Sequence, residues 1–411
     1  MTRHRVVITG IGLTSPIGET LDAVSSALRE GRHGIKPQPD WARVAGLETR
    51  LGAPVSAFDP GAHPRKKVRS MGRVGLLALT ATKRCLADAG LDPALLTGGR
   101  VGLAYGSTHG SSEAMEVFTR DLFSTYSLAG LQGTAYLKFM SHTCAANLAQ
   151  YYGIRGRVVP TCAACVSGSL AVGTGYELVR AGTQDAVLCG GAEELHFVHA
   201  AVFDMLYATS RRYNDRPDES PRPFDAARDG LVIGEGAGTL LLEREEHARA
   251  RGAKVYAELV GYGSNCDGTH VTSPSADGMA EAMRLALADA GLAPGDVGYV
   301  NAHATATEVG DLAEAEATRR VFGDGGVPVS STKGHTGHTL GACGALEAAF
   351  CVAAMRDGFL PATRNLTRVG EGCGGLDHVT GAAREARVDV AMSNNFAFGG
   401  VNTSLLLRRA E

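Results

Sequence analysis

Cys165 has the residue type and the setting of a thiol nucleophile. It lies in Pro160-Thr-Cys-Ala-Ala-Cys165-Val-Ser-Gly-Ser169, a small and apolar run that opens into a helical pattern. Two histidines stand in similar settings downstream. His303 lies in Val300-Asn-Ala-His-Ala-Thr-Ala-Thr307, and His338 closes Ser331-Thr-Lys-Gly-His-Thr-Gly-His338. The thiolate is the reactive form of cysteine, and a helix N-terminus lowers its pKa. Ser167, Gly168 and Ser169 would let backbone N–H groups crowd around the sulfur as an oxyanion hole. Competing readings exist for each residue. A buried cysteine is commonly a packing residue, and a lone histidine at a strand end is more often satisfied than catalytic. Cys162-x-x-Cys165 could be half a zinc site or a redox pair, but no second ligand pair at similar spacing follows.

Other polar residues cluster near the histidines in sequence. Thr305 and Thr307, on alternate positions after His303, could bind an extended polar ligand arm. Lys333 sits in a turn too small and polar to be core, and Glu347 falls about two to three helical turns beyond His338. That spacing lets Glu347 reach a lysine folded back over the helix start. His335 competes with His338; the latter is preferred because it stands at the junction with a helix, as Cys165 does. Near the C-terminus, Phe396 and Phe398 flank Ala397 and precede Gly399-Gly400, which reads as an apolar flap on a flexible hinge. Gly10-Ile-Gly12 lacks the third glycine of a dinucleotide fingerprint.

These residues need elements to hold them, and the pattern alternates strand and helix throughout, an α/β class. Strands are expected at 5–9, 101–105, 186–190, 238–243, 255–263, 298–302, 327–331, 388–393 and 403–408. Helices are expected at 21–30, 73–89, 168–180, 279–290, 311–322 and 340–356, the fifth opening with the acidic residues that helix starts prefer. The polar, Arg- and Pro-rich stretch 215–229 reads as a surface loop. Leu86-Ala-Asp-Ala-Gly-Leu91 recurs as Leu287-Ala-Asp-Ala-Gly-Leu292, each between a helix and a strand. Cys165 and His338 also each precede a small-residue helix closing at Gly182 or Gly358. The chain therefore reads as two α/β halves from duplication, 1–251 with the cysteine and 252–411 with the histidines.

Composition sets outer limits. At 411 residues and 44% hydrophobic, the chain can bury a large core. A net charge of -3 points to neither nucleic acid nor an anionic membrane. No apolar run approaches the ~20 residues of a membrane span. Nine cysteines, mostly in apolar or helical contexts, argue against a disulfide framework and for a reducing cytoplasm.

Together these segments resemble the β-ketoacyl-acyl carrier protein synthases, elongating condensing enzymes of the thiolase superfamily. The likeness includes the opening Val6-Val-Ile-Thr-Gly-Ile-Gly-Leu-Thr-Ser-Pro16, the strand end Gly190-Gly-Ala-Glu193, the run Arg222 to Gly238, and the three catalytic segments in order. It implies a duplicated thiolase fold, five-layered αβαβα with two mixed sheets. It implies that Cys165 accepts an acyl chain from a carrier-protein thioester and extends it by decarboxylative Claisen condensation with a malonyl thioester. His303 and His338 would stabilise the enolate, and the N–H groups of Cys165 and Phe398 would form the oxyanion hole. Lys333, tied to Glu347, would position the histidine site. Thr305 and Thr307 would bind the pantetheine arm. Phe398 would gate the pocket beside Phe396, and His109 and Phe203 would line the acyl pocket. Arg65, Lys66, Lys67 and Arg69 fit a docking patch for an acidic acyl carrier protein; an ordinary solvated loop is the competing reading. No metal and no redox cofactor is implied, substrates arriving on carrier phosphopantetheine. The family norm is a dimer, here a homodimer or a heterodimer with a chain-length-factor-like subunit.

Departures from the family pattern matter. Ala304 and Ala306 stand for glycine and serine, Ala397 and Val401 interrupt the hinge, and His109 replaces an aliphatic residue. These resemble ketosynthases of aryl-polyene and other highly reducing type II polyketide pathways more than a housekeeping fatty-acid enzyme. A degradative thiolase would carry a second catalytic cysteine near the C-terminus, and the segment around Phe398 has none. A silent chain-length factor would lack the nucleophile, and an initiating enzyme would pair histidine with asparagine.

Overall fold

The computed structural model describes residues 3–56 and 58–410. Its strands fall into two sets with one shared plan. In the first, the order is Val158–Pro160, Val101–Gly106, Ala186–Glu193, Gly236–Arg244, Val6–Thr14. In the second it is Pro328–Ser330, Tyr299–Asn301, Val390–Phe396, Val401–Arg409, Ala257–Cys266, with Asp377–His378 added outside. The first three strands of each set run parallel, and the next two pair antiparallel. Both sets thus place equivalent strands, counted along the chain, in the same spatial order. The recurring hexamer sits at equivalent places too. It closes helix Arg73–Ala89 in one half and Ala276–Ala290 in the other, at left-handed Gly90 and Gly291.

The two sheets are not separate. Val6–Ile8 pairs antiparallel with Ala257–Leu259, so eleven strands form one hydrogen-bonded ladder. Each of these strands ends its own set, and the unpaired backbone groups of one edge satisfy those of the other.

Three apolar clusters separate five layers. One lies between the sheets, around helices Ser167–Arg180 and Cys343–Asp357; the others lie outside them, under Arg73–Ala89 and Ala276–Ala290. Cys343 to Met355 is buried on every side, as a helix in a central layer must be. The two central helices pack on each other. A Cβ on Gly168 would lie 2.9 Å from the backbone N of Ala345 and the O of Gly341. Only hydrogen fits there, so the helices meet backbone to backbone.

Several elements depart from the expected pattern. Helices Ser112–Thr125, Thr134–Phe139, Thr143–Tyr152 and Phe197–Met205 form where none is expected, as does strand Val158–Pro160. In Ser112–Thr125 the large apolar residues Val117 and Phe123 are exposed, so its apolar residues are not all packed into the core. The stretch 215–229 is only partly a surface loop. Phe224 is fully buried, and Asp225 accepts N–H bonds from Ala227, Thr367 and Arg368. Among the described residues no helix is long and apolar enough to cross a membrane, and all nine cysteines are free.

Gly168→Ala should destabilise the protein by about 1–3 kcal/mol through overpacking. Gly295→Ala, where a Cβ meets nothing within 4 Å, should leave the thermal midpoint unchanged. Thermal unfolding of the two variants checks this.

Candidate active site

Cys165 lies in the single-turn 3-10 helix Ala164–Val166, which runs into helix Ser167–Arg180. Ala164 has φ 47°, unusual for a residue with a side chain, and this bend turns the thiol out over the helix start. The Ser167 hydroxyl props the bend, accepting from Ala163 N–H at 2.9 Å and donating to Ala164 C=O at 2.7 Å. The small residues after Cys165 also have bracing and packing tasks. Ser167 braces the turn, Gly168 admits the opposing helix, and Ser169 hydrogen-bonds Thr403 through its hydroxyl at 2.7 Å.

His338 reaches the thiol from the second half, with Nε2 3.0 Å from Cys165 Sγ. Its backbone is pinned to the first half, N–H to Val232 C=O at 2.7 Å and C=O to Gly234 N–H at 2.9 Å. The His303 ring stands edge-on to it, with centroids 5.1 Å apart. His303 follows strand Tyr299–Asn301, and its N–H and that of Ala304 donate to the two oxygens of Glu314 at 2.8 and 2.6 Å. His335, the competitor, is committed elsewhere: its ring nitrogens face the carbonyls of Arg32 and Ala362.

Lys333 is fully buried, its ammonium 2.5 Å from Glu347 Oε1, while Asn395 donates to Glu347 Oε2 at 2.7 Å. Burial works against the ammonium, but Glu347 outweighs it and holds the lysine pKa above its ordinary value. Burial, with Lys333 adding to it, drives both imidazoles well below the usual histidine range. They are therefore neutral. The thiol is pushed up to about 12 by burial, which the opposing pull of Lys333 does not overcome. A thiol activated by the helix start alone is thus not what forms; the resting pair is neutral thiol and neutral imidazole.

The cleft over these groups is lined by Phe203, Thr305, Thr307, Phe396 and Phe398 as well as Cys165, His303 and His338. The two threonine hydroxyls are 3.1 Å apart. Phe396 is buried beside His303, and Phe398 is partly exposed and stacks on Phe203 with centroids 5.4 Å apart. The flap turns at Gly399 and Gly400, both at positive φ, and is held by Gly399 N–H to Val271 C=O and Asp267 N–H to Gly400 C=O. His109 lies outside this cleft. The chain turns after strand Val101–Gly106, and its ring joins a polar cluster with Ser112 at 2.7 Å and His199 at 3.3 Å. Arg65, Lys66, Lys67 and Arg69 are exposed around the short helix Arg65–Val68, away from the cleft lining.

Glu314, Asn395 and Cys343 complete the site and carry no motif signal of their own. Asp311 and Glu314 do more than complement a helix dipole. Both point inward and accept N–H groups of the 303–306 loop, and burial pushes them up to about 6 and about 8. Their clue was two acids three residues apart on the inner face of an alanine-rich helix. Cys165, His303 and His338 offer donor atoms within 4.8 Å of one another, a set that suits zinc. The nearby buried charge of Lys333 opposes a divalent cation there.

A bent cysteine turn in one half, meeting two imidazoles from the other, is the arrangement that comparison with known proteins explains. The Beta-ketoacyl synthase N-terminal domain matches residues 3–248, and the C-terminal domain matches 256–367. The chain belongs to the β-ketoacyl synthase family. Among its β-ketoacyl synthase relatives, 3-oxoacyl-[acyl-carrier-protein] synthase 1 of Escherichia coli K12 is 37% identical over 99% of both chains. A β-ketoacyl synthase from Burkholderia phymatum superposes with TM-score 0.96 at 49% identity, covering 99% of this chain and 100% of that one. A ketosynthase (ApeO) from Xenorhabdus doucetiae, in complex with its chain length factor (ApeC), superposes with TM-score 0.83 at 28% identity, covering 99% and 98%. The β-ketoacyl synthase fold is therefore that of the whole described chain, with the duplicated thiolase plan.

Lys333→Met should leave Glu347 buried and unpaired, destabilising the protein by about 3–5 kcal/mol in chemical denaturation. Adding Glu347→Leu should restore most of the stability while activity stays lost. For Cys165, a thiol near 12 is below its pKa at neutral pH, so the thiolate fraction grows with pH. Inactivation by iodoacetamide should accelerate about tenfold per pH unit from pH 7 to 9, with no plateau. A plateau below pH 8 would mean an ion pair with His338 already forms at rest.

Proposed function

We propose that this chain is a β-ketoacyl-acyl carrier protein synthase that extends an acyl chain held on Cys165. The observation that carries the reading is the 3.0 Å contact between Cys165 Sγ and His338 Nε2, with His303 beside it. In acyl transfer the thiol proton passes to His338 and the sulfur attacks the carrier thioester carbonyl. The carrier thiolate leaves and takes up that proton. The N–H groups of Cys165 and Phe398 are assigned to the oxyanion of this step.

A malonyl thioester then occupies the cleft, its pantetheine arm along Thr305 and Thr307. Loss of carbon dioxide leaves the bonding electron pair as an enolate. The enolate oxygen needs donors and no base, and a neutral imidazole keeps one N–H to give. That is the use of two histidines whose charging is suppressed. The enolate carbon attacks the acyl thioester on Cys165, and the sulfur departs as a thiolate that takes a proton from water, completing a decarboxylative Claisen condensation. No resident metal or redox cofactor enters this scheme.

Arg65, Lys66, Lys67 and Arg69 are assigned to docking the acidic carrier protein. The likeness to a ketosynthase bound to its chain length factor, with Ala304, Ala306 and Ala397 in the motif segments, supports a role in polyketide assembly of the aryl-polyene kind. It also supports pairing with such a subunit, with a second copy as the alternative. Exposed Phe123, Tyr126, Leu128 and Tyr136, and the edge strand Val158–Pro160, offer the apolar and backbone surface for that pairing. A cytoplasmic location accords with the free cysteines.

Intact-mass spectrometry after incubation with saturated, polyenoyl and aryl-enoyl carrier proteins tests the reading. Wild type should gain an acyl adduct and Cys165→Ala none, and polyenoyl chains should load fastest. Equal loading of Cys165→Ala would remove Cys165 as nucleophile, and a preference for saturated chains would place the protein in fatty-acid synthesis.

A further inference from the structure

Cys343 is a second buried thiol at the back of the site, and the scheme above gives it no task. It is the first residue of helix Cys343–Asp357, 1% exposed. Its Sγ donates to the backbone carbonyl of Cys165 at 3.2 Å. The same sulfur accepts from Asn395 Nδ2 at 3.5 Å, and that amide also donates to Glu347 at 2.7 Å. Its sulfur lies within 4.8 Å of a ring nitrogen of His303 and a carboxylate oxygen of Glu347. The thiol therefore joins two parts of the site. On one side is the bent turn carrying the nucleophile, and on the other the buried ion pair with Lys333.

The Cys165 carbonyl belongs to a turn entered through Ala164 at φ 47°, where the 3-10 turn runs into the longer helix. A neutral thiol can both donate and accept, which this position demands. Burial holds Cys343 in that form, pushing its pKa well above the ordinary value. Alanine there would leave the Cys165 carbonyl without its thiol donor, whereas serine keeps a donor on the same carbon.

We propose that Cys343 is a positioning residue for acyl loading, fixing the Cys165 turn against the Asn395–Glu347–Lys333 network. The proposal rests on Cys165 being the acyl acceptor, which wild-type loading establishes separately. Single-turnover loading of acyl carrier protein substrate, read by intact mass, is measured for wild type, Cys343→Ala and Cys343→Ser. Cys343→Ala should load about tenfold slower at saturating donor, the effect of about one hydrogen bond, with an unchanged half-saturating concentration. Cys343→Ser should load within about threefold of wild type. Decarboxylation of malonyl carrier protein, which uses the histidines without a bond to Cys165, should fall less than loading does in Cys343→Ala. A general loosening of the site would slow decarboxylation as much as loading, and that result overturns the proposal. Wild-type loading by Cys343→Ala also overturns it, as does equal impairment of both variants. If the alanine variant does not fold, the serine variant decides: loading more than tenfold below wild type rejects the role.

Discussion

Two central helices meet with no side chain between them, and the site exists because of that contact. Gly168 lies one turn after the nucleophile, and its Cα faces the backbone of Gly341 and Ala345, just after His338. Gly191, on the strand behind, would press a Cβ to 2.2 Å from Gly341 O. Close approach of these backbones brings the start of one helix over the start of the other. A thiol from the first half and an imidazole from the second then meet at hydrogen-bond distance without any long side chain reaching across. The small-residue character around Cys165 is thus a packing requirement first, and a chemical setting second.

The same burial governs the electrostatics. In a low-dielectric pocket, one fixed charge dominates its neighbours. That charge is Lys333, paired with the Glu347 carboxylate that Asn395 holds, beside a thiol and two imidazoles that stay neutral. Burial, with Lys333 adding to it, suppresses charging of both histidines, so they remain donors for an oxygen that becomes negative during reaction. Glu314 supports this arrangement from the outside, holding the His303 and Ala304 amides on a helix face where it can bind two at once.

The sequence was most readable where one period or one residue type carries the signal. Strands buried on both faces and helices such as Arg73–Ala89 announce themselves, and the recurring hexamer marks equivalent corners of the two halves. Cys165, His303 and His338 were legible because their types are chemically unusual in small, apolar surroundings; the Lys333 turn, too polar in sequence to be core, is buried all the same because Glu347 compensates its charge. Glu314 and Asn395 were not, since their partners are backbone amides or side chains far off in sequence.

The strand plan repeats so closely that the nucleophile turn has a twin. Leu340 begins the second 3-10 turn at φ 45°, as Ala164 begins the first, which makes Gly341 the counterpart of Cys165. At Gly341, a Cβ would stand 2.9 Å from the Ser107 Cα and the Thr108 amide nitrogen. The twin can hold no side chain at all, let alone a reactive one. Pseudosymmetry in the backbone is therefore broken at a single atom, and the fold can present one electrophile-accepting centre per chain but never a mirrored pair.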